Sequence, residues 1–146
     1  MVVELFEEIL IATDGSEHSV QAAKKGIDLA KLSGGRVTAL YVVDPGVLSD
    51  VSHNIVDEVV EGMRRSMMKE AEKATTFVEE LAKAAGVPAE KKIVEGNPAP
   101  EILKMSKGMD VVVVGSIGST GLSKYLLGSV AEKVVRNSEV PVMVVY

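Results

Sequence analysis

The stretch Asp110-Val-Val-Val-Val-Gly-Ser-Ile-Gly118, continued by Ser119-Thr-Gly-Leu-Ser-Lys-Tyr-Leu-Leu-Gly128-Ser129, decides how this chain folds. Four consecutive valines without a polar alternate read as a strand buried on both faces. That burial belongs to a parallel sheet covered by helices on each side. The glycine-rich run that follows sits where such a strand hands over to a helix. Glycine lets backbone approach an anion closely, and a helix amino terminus offers N–H groups with partial positive charge. The segment therefore predicts a phosphate cradle at the carboxyl end of a central strand, with Gly115, Ser116, Gly118, Gly128 and Ser129 as its candidate residues.

Working outward, strands and helices alternate along the chain. Phe6–Thr13 is apolar and closes on Asp14-Gly15-Ser16, a turn and helix-cap signal. Val20, Ala23, Ile27 and Ala30 recur at helical spacing, and Gly34-Gly35 stops that helix. Arg36–Val43 is a second strand, and 44–54 reads as a loop. From Ile55 through Val59, Met63, Met67, Ala71, Ala74, Val78 and Leu81 to Ala85 an apolar stripe predicts a helix of about eight turns. Glu90–Glu95 is a short third strand. Asn97 and Pro98 open a helix reaching about Lys107, Met109–Gly115 is the fourth strand, and Val140–Tyr146 the fifth. The helix before the fifth strand starts near Ser123 or Ser129 and runs to Arg136. This order predicts one doubly wound α/β domain over residues 1–146, with its ligand beyond the carboxyl ends of the strands.

Composition narrows the partners. The chain has 146 residues, 47% hydrophobic and 25% charged, enough for a proper core. Sixteen basic against twenty-one acidic side chains give a net charge of −5, which argues against broad nucleic-acid binding. With no cysteine there is neither a disulfide framework nor thiolate chemistry. No apolar run reaches membrane-spanning length, and acids occupy the amino terminus where a secretory signal carries positive charge. A cytoplasmic protein is expected.

Known phosphate motifs do not fit. A Walker A loop needs five residues from glycine to glycine, then lysine; Gly115 and Gly121 are six apart, and Leu122 follows. The G-x-G-x-x-G dinucleotide fingerprint fails on spacing and on place. His18 and His53 lack metal-ligand spacing, and Ser16 and Ser129 lack an identifiable base. Asp14, just beyond the first strand, has two readings: a ligand for ribose hydroxyls or for a water-bound Mg2+, and a cap for the helix beginning near Ser16.

What does fit is Gly115-x2-Gly118-x9-Gly128-Ser129. This resembles the ATP-binding signature of universal stress proteins. ILIATDGSEHS, EGNPAPEIL, DVVVVGSIG and LLGSVAEKVVRNSEVPVMVV also look like that family, so the resemblance spans the chain. It implies a three-layer, five-stranded parallel sheet in the order 3-2-1-4-5, like that of the adenine nucleotide alpha hydrolases, with ATP, ADP or AMP at its edge. It places Ala12, Thr13 and Asp14 near ribose and phosphates, Val42 and Val43 near adenine, and Gly115, Gly118, Gly128 and Ser129, with Val130 following, at phosphate and ribose. Mg2+ or Mn2+ would accompany the phosphates, with Asp14 an indirect ligand. The resemblance also implies a homodimer through the last strand and a protein partner of unknown identity. Where many members carry Arg or His, this chain has Ile117, leaving Lys124 as the nearest cation. Three functions follow: a nucleotide-dependent regulatory switch, a slow ATPase, and a dimeric interaction module without nucleotide. The enzyme reading has a thin set of groups, Asp14 and Lys124. Alpha-hydrolase enzymes carry Ser-Gly-Gly-x-Asp-Ser where this chain reads Asp14-Gly15-Ser16-Glu17-His18-Ser19.

Overall fold

The computed structural model describes residues 6–46, 56–117 and 127–146. Five parallel strands, β1 (Glu8–Ala12), β2 (Arg36–Val43), β3 (Ala89–Glu95), β4 (Val111–Gly115) and β5 (Val142–Val145), form one sheet in the order β3-β2-β1-β4-β5. The described helices are α1 (Glu17–Ser33), α2 (Asp57–Ala84), α3 (Pro98–Ser106) and α4 (Ser129–Asn137). The sequence signals hold for every strand, with ends shifted by at most two residues, as cap and ladder geometry commonly shift them. The start near Ser123 lies outside the described residues, as do Ile55, His53 and most of the loop after β2.

Period-two alternation sorts the strand residues into two cores. Ile9, Ile11, Val37, Ala39, Val111 and Val113 pack under α1 and α2 with Ala23, Ile27, Val78 and Ala82. Leu10, Leu40, Val112 and Val114 pack on the other face against Ala99 and Ile102 of α3 and Ala131 and Val134 of α4. Thus the four valines of β4 divide two and two between the cores, and all are buried. At the amino edge, the Asp110 carboxylate accepts from the backbone N–H groups of Glu7 (3.0 Å) and Glu8 (2.9 Å), while the Asp110 N–H donates to the Glu8 carbonyl at 2.8 Å. This clasp fixes the β1–β4 register. Asp110→Ala is expected to lower stability by about 1–3 kcal/mol, read by urea denaturation, because a part-buried N–H loses its acceptor.

The long helix departs from its expected role. An apolar stripe runs the length of the helix, yet only Ala71, Thr75, Val78 and Ala82 are buried, all in the second half. Val59 is half exposed, and Met63 and Met67 are only partly covered. The reason is length. Twenty-eight helical residues span about 42 Å, whereas an eight-residue strand spans about 26 Å, so the first turns project past the sheet. An ion pair between Arg64 and Glu95 (2.7 Å) ties the projecting part to the end of β3.

Candidate functional site

The chain builds outward from β1 to β2 and β3, then crosses back to place β4 on the other side of β1. Strand order therefore reverses between β1 and β4, and their carboxyl ends diverge there into a crevice, the usual place for a ligand in such sheets. A cleft of about 230 Å³ opens at this point. Its floor is apolar. Ala12, Leu40, Val42 and Val114 contribute from strand ends, and Pro98 and Ile102 from one face of α3. Polar groups meet it on two sides: the loop Thr13–Asp14 with Ser19 on one, and Gly115 with the start of α4 on the other.

The β1 side is organised by short-range hydrogen bonds. The Ser16 hydroxyl accepts from the Ser19 N–H at 3.3 Å and occupies the N-cap of α1. Asp14 is thus not the helix cap, contrary to one sequence reading. Its carboxylate instead accepts from the Ser16 N–H at 2.9 Å, an Asx turn that holds the loop. Gly15 donates its N–H to the Thr13 hydroxyl (3.2 Å), and Thr13 donates its own N–H to the Leu40 carbonyl (2.9 Å). Burial, and then the negative charges of Asp14 and Glu70, push the Tyr41 phenol above its usual range.

On the other side the Ser116 N–H donates to the Val145 carbonyl (2.9 Å), and the Ser116 carbonyl accepts from the Gly128 N–H at 2.7 Å. That bond closes the glycine-rich excursion and sets α4 against the cleft. The N-cap residue of α4, Gly128, carries no side-chain cap bond. The first-turn N–H groups of Ser129, Val130 and Ala131 have no acceptor within the helix, and these three residues line the cleft. The amino terminus of α3 differs. Pro98 removes a donor, and the Glu101 side chain lies against Gly96. Asn97 holds the predicted cap position of α3 without a side-chain cap bond.

Of the residues expected from the sequence, Ala12, Thr13, Asp14, Val42, Gly115, Gly128, Ser129 and Val130 come together around this cleft. Val43 and Ser116 do not line it. Val43 is buried, one residue out of phase with Val42, and its carbonyl accepts from Gly96. Ser116 is buried and works through its backbone. Gly118 and Lys124 lie outside the described residues. Gly115 has a packing reason of its own: a Cβ there would sit 3.0 Å from the His18 carbonyl oxygen, so its smallness lets the first turn of α1 close on β4.

Sequence reasoning missed Ser19, Leu40, Pro98 and Ile102. Leu40 was legible as the residue two before Val42 on the same strand face, and Ile102 as the helical neighbour of Pro98. Among the described residues no group of three or more His, Cys, Asp or Glu is placed to hold a metal ion, and Asp14 is the one charged residue lining the cleft.

The model of the Universal stress protein family matches residues 5–146. This chain belongs to the universal stress protein family. Universal stress protein MJ0531 of Methanocaldococcus jannaschii is 38% identical over 147 residues, covering 97% of this chain and 82% of the relative. The solved structure of MJ0577, a universal stress protein of the same organism, superposes with a TM-score of 0.82 at 31% identity, over 97% of this chain and 96% of that one. A universal stress protein solved in complex with cAMP shares the fold, with a TM-score of 0.71 at 23% identity and 97% of each chain covered. The five-stranded order 3-2-1-4-5 is thus that of a universal stress protein. Among the described residues no helix is long and apolar enough to cross a membrane.

Proposed function

We propose that this universal stress protein binds an adenine nucleotide, ATP first among the candidates, in the cleft between β1 and β4. The observation that carries the reading is the polarity of the cleft. An apolar floor of Leu40, Val42, Pro98 and Ile102 suits a purine base, and the first turn of α4, Ser129 to Ala131, offers N–H donors and the positive end of the helix dipole to phosphate. A relative with this fold, solved with cAMP, supports an adenine ligand. Mg2+ or Mn2+ would arrive on the phosphates, with Asp14 meeting it through water.

The bound state would act through the protein's surface as a regulatory dimer, without need of turnover. Dimerisation through β5 is part of this proposal. Val142 to Val145 are each only partly covered and Tyr146 is 77% exposed, so this sheet edge presents apolar side chains and open backbone. The opposite edge, β3, exposes Glu90, Lys92 and Glu95, charges that discourage strand pairing. Native mass spectrometry tests nucleotide and dimer together. The expected spectrum is a two-chain mass carrying adenine nucleotide. ATP with Mg2+ at about a hundred times its Kd should stabilise the fold by about 2.7 kcal/mol, a rise in melting temperature of about 5–10 °C. An unchanged melting curve with ATP, ADP and AMP at millimolar concentration rejects the nucleotide reading. Phosphate release above the buffer background would favour the slow ATPase instead.

A further inference from the structure

A second cavity of about 230 Å³ opens on the α1–α2 face of the sheet, behind the loop that ends β1. Glu70, Lys73, Ala74 and Phe77 line it from α2, at three- and four-residue spacing on one helix face, beside the buried face of Ala71, Thr75, Val78 and Ala82. Thr13, Gly15 and Val20 of α1 stand across from them. Gly15 and Ala74 bring little side chain into the gap; a Cβ at Gly15 would lie 3.6 Å from that of Ala74. Val20, Ala74 and Phe77 make the lining apolar, and the Phe77 ring is left 41% exposed. Two exposed side chains complete the cavity with opposite charges. Among the described residues neither Glu70 nor Lys73 makes a hydrogen bond or an ion pair. Their neighbour Glu72, by contrast, is held by Lys91 at 3.1 Å.

An anion and a cation left unpaired side by side exclude most ligands. A phosphate is repelled by Glu70 and a metal ion by Lys73, so a ligand of one sign loses at one group what it gains at the other. A dipolar ligand satisfies both. Residues three apart on a helix have Cβ atoms about 5–6 Å apart, a gap that a molecule with its two charges on either side of one carbon can bridge. The cavity is smaller than the pockets of about 300–1,000 Å³ that hold drug-sized ligands, so the molecule is small. Its body is apolar, to cover Val20, Ala74 and Phe77. We infer that the α1–α2 groove binds a free α-amino acid with an apolar side chain, its ammonium on Glu70 and its carboxylate on Lys73. The inference does not rest on the nucleotide reading. Thr13 lines both cavities, yet the two open on opposite faces of the sheet.

Nuclear magnetic resonance titration of the whole chain with L-phenylalanine, in the absence of nucleotide, tests it. Saturable shifts of the amide signals of Gly15, Val20, Lys73 and Ala74 are expected at millimolar concentration, since each exposed charge adds little. Phenethylamine lacks the carboxylate and hydrocinnamate lacks the ammonium; each is expected to bind about threefold or more weakly. Lys73→Met should weaken the amino acid about threefold and leave phenethylamine unaltered. Glu70→Gln should weaken the amino acid to the same degree and leave hydrocinnamate unaltered or tighter. Both positions are exposed, so neither change threatens the fold, and a merely structural role would move all three ligands alike. Absence of a saturable shift up to the solubility of L-phenylalanine overturns the site. Equal affinity for the three ligands overturns the assignment, leaving an apolar cavity indifferent to charge. Binding of N-acetylphenylalanine amide as tight as that of the free amino acid also overturns it, in favour of a side chain presented by a peptide. The nucleotide reading is decided separately, by titration with ATP.

Discussion

Gly35→Ala is expected to lower stability by about 3 kcal/mol or more, which for a chain of this length is about 6–12 °C in melting temperature. A Cβ at Gly35 would lie 2.3 Å from the Phe6 carbonyl oxygen and 2.7 Å from that of Glu7. Both obstacles are backbone, and both belong to the entry into β1. The same stretch is held by the Arg36 N–H on the Glu7 carbonyl at 2.7 Å and by the Ser33 hydroxyl on the Phe6 carbonyl at 2.6 Å. The clash therefore cannot be relieved by turning a side chain; β1 or the α1–β2 turn has to move. The neighbouring Gly34 supplies the control. It holds a left-handed conformation (φ +73°) at the end of α1, and a Cβ there meets nothing within 4 Å. Gly34→Ala should lower stability by about 1–2 kcal/mol, the strain of that conformation alone. Urea denaturation of the two variants checks the difference. Equal losses would show that the close approach at Gly35 is relieved without penalty.

The second large effect concerns α4. Val130→Asp is expected to weaken ATP binding by about a hundredfold or more while leaving the melting temperature of the nucleotide-free protein unchanged or slightly higher. Val130 lies in the first turn of α4, partly exposed, and lines the cleft. A carboxylate there interacts favourably with the helix dipole, by about 0.3–1 kcal/mol. It also occupies the donors proposed for phosphate. Two like charges about 4 Å apart near a protein surface repel by about 4 kcal/mol, before solvent weakens it. The opposite signs make the result diagnostic, since ordinary damage to the fold lowers both quantities. Val130→Thr, without charge, should stay near the original affinity. Calorimetry with ATP and a thermal scan of the nucleotide-free protein supply the two readings. Unaltered affinity in Val130→Asp would place the phosphates elsewhere.

The two glycines before β2 show where sequence reading stops. From the sequence, Gly34-Gly35 is one signal, the end of a helix. In the structure Gly34 ends the helix and Gly35 makes room for the backbone of Phe6 and Glu7, nearly thirty residues earlier. Asp14 and Ser16 divide similarly. Both are good capping residues in sequence, and only the traced bonds give Ser16 the cap and Asp14 the turn. Gly128 reads as a phosphate donor in a spaced motif, yet its N–H is committed to the Ser116 carbonyl. The donors left facing the cleft belong to the residues after it.

The sequence by itself determined the element order, the burial of Val111 to Val114 on both faces, and the end of the sheet where the cleft opens. These rest on periodicities of two and 3.6 residues and on turn residues, all of which act within a few positions along the chain. Only the tertiary structure decided that α2 buries half of its apolar stripe, that Pro98 and Ile102 join Leu40 and Val42 in the cleft floor, and that the Thr13 and Ser19 hydroxyls bond each other. Each of those depends on which group lies within about 3–4 Å in space, a distance that folding sets and local pattern does not.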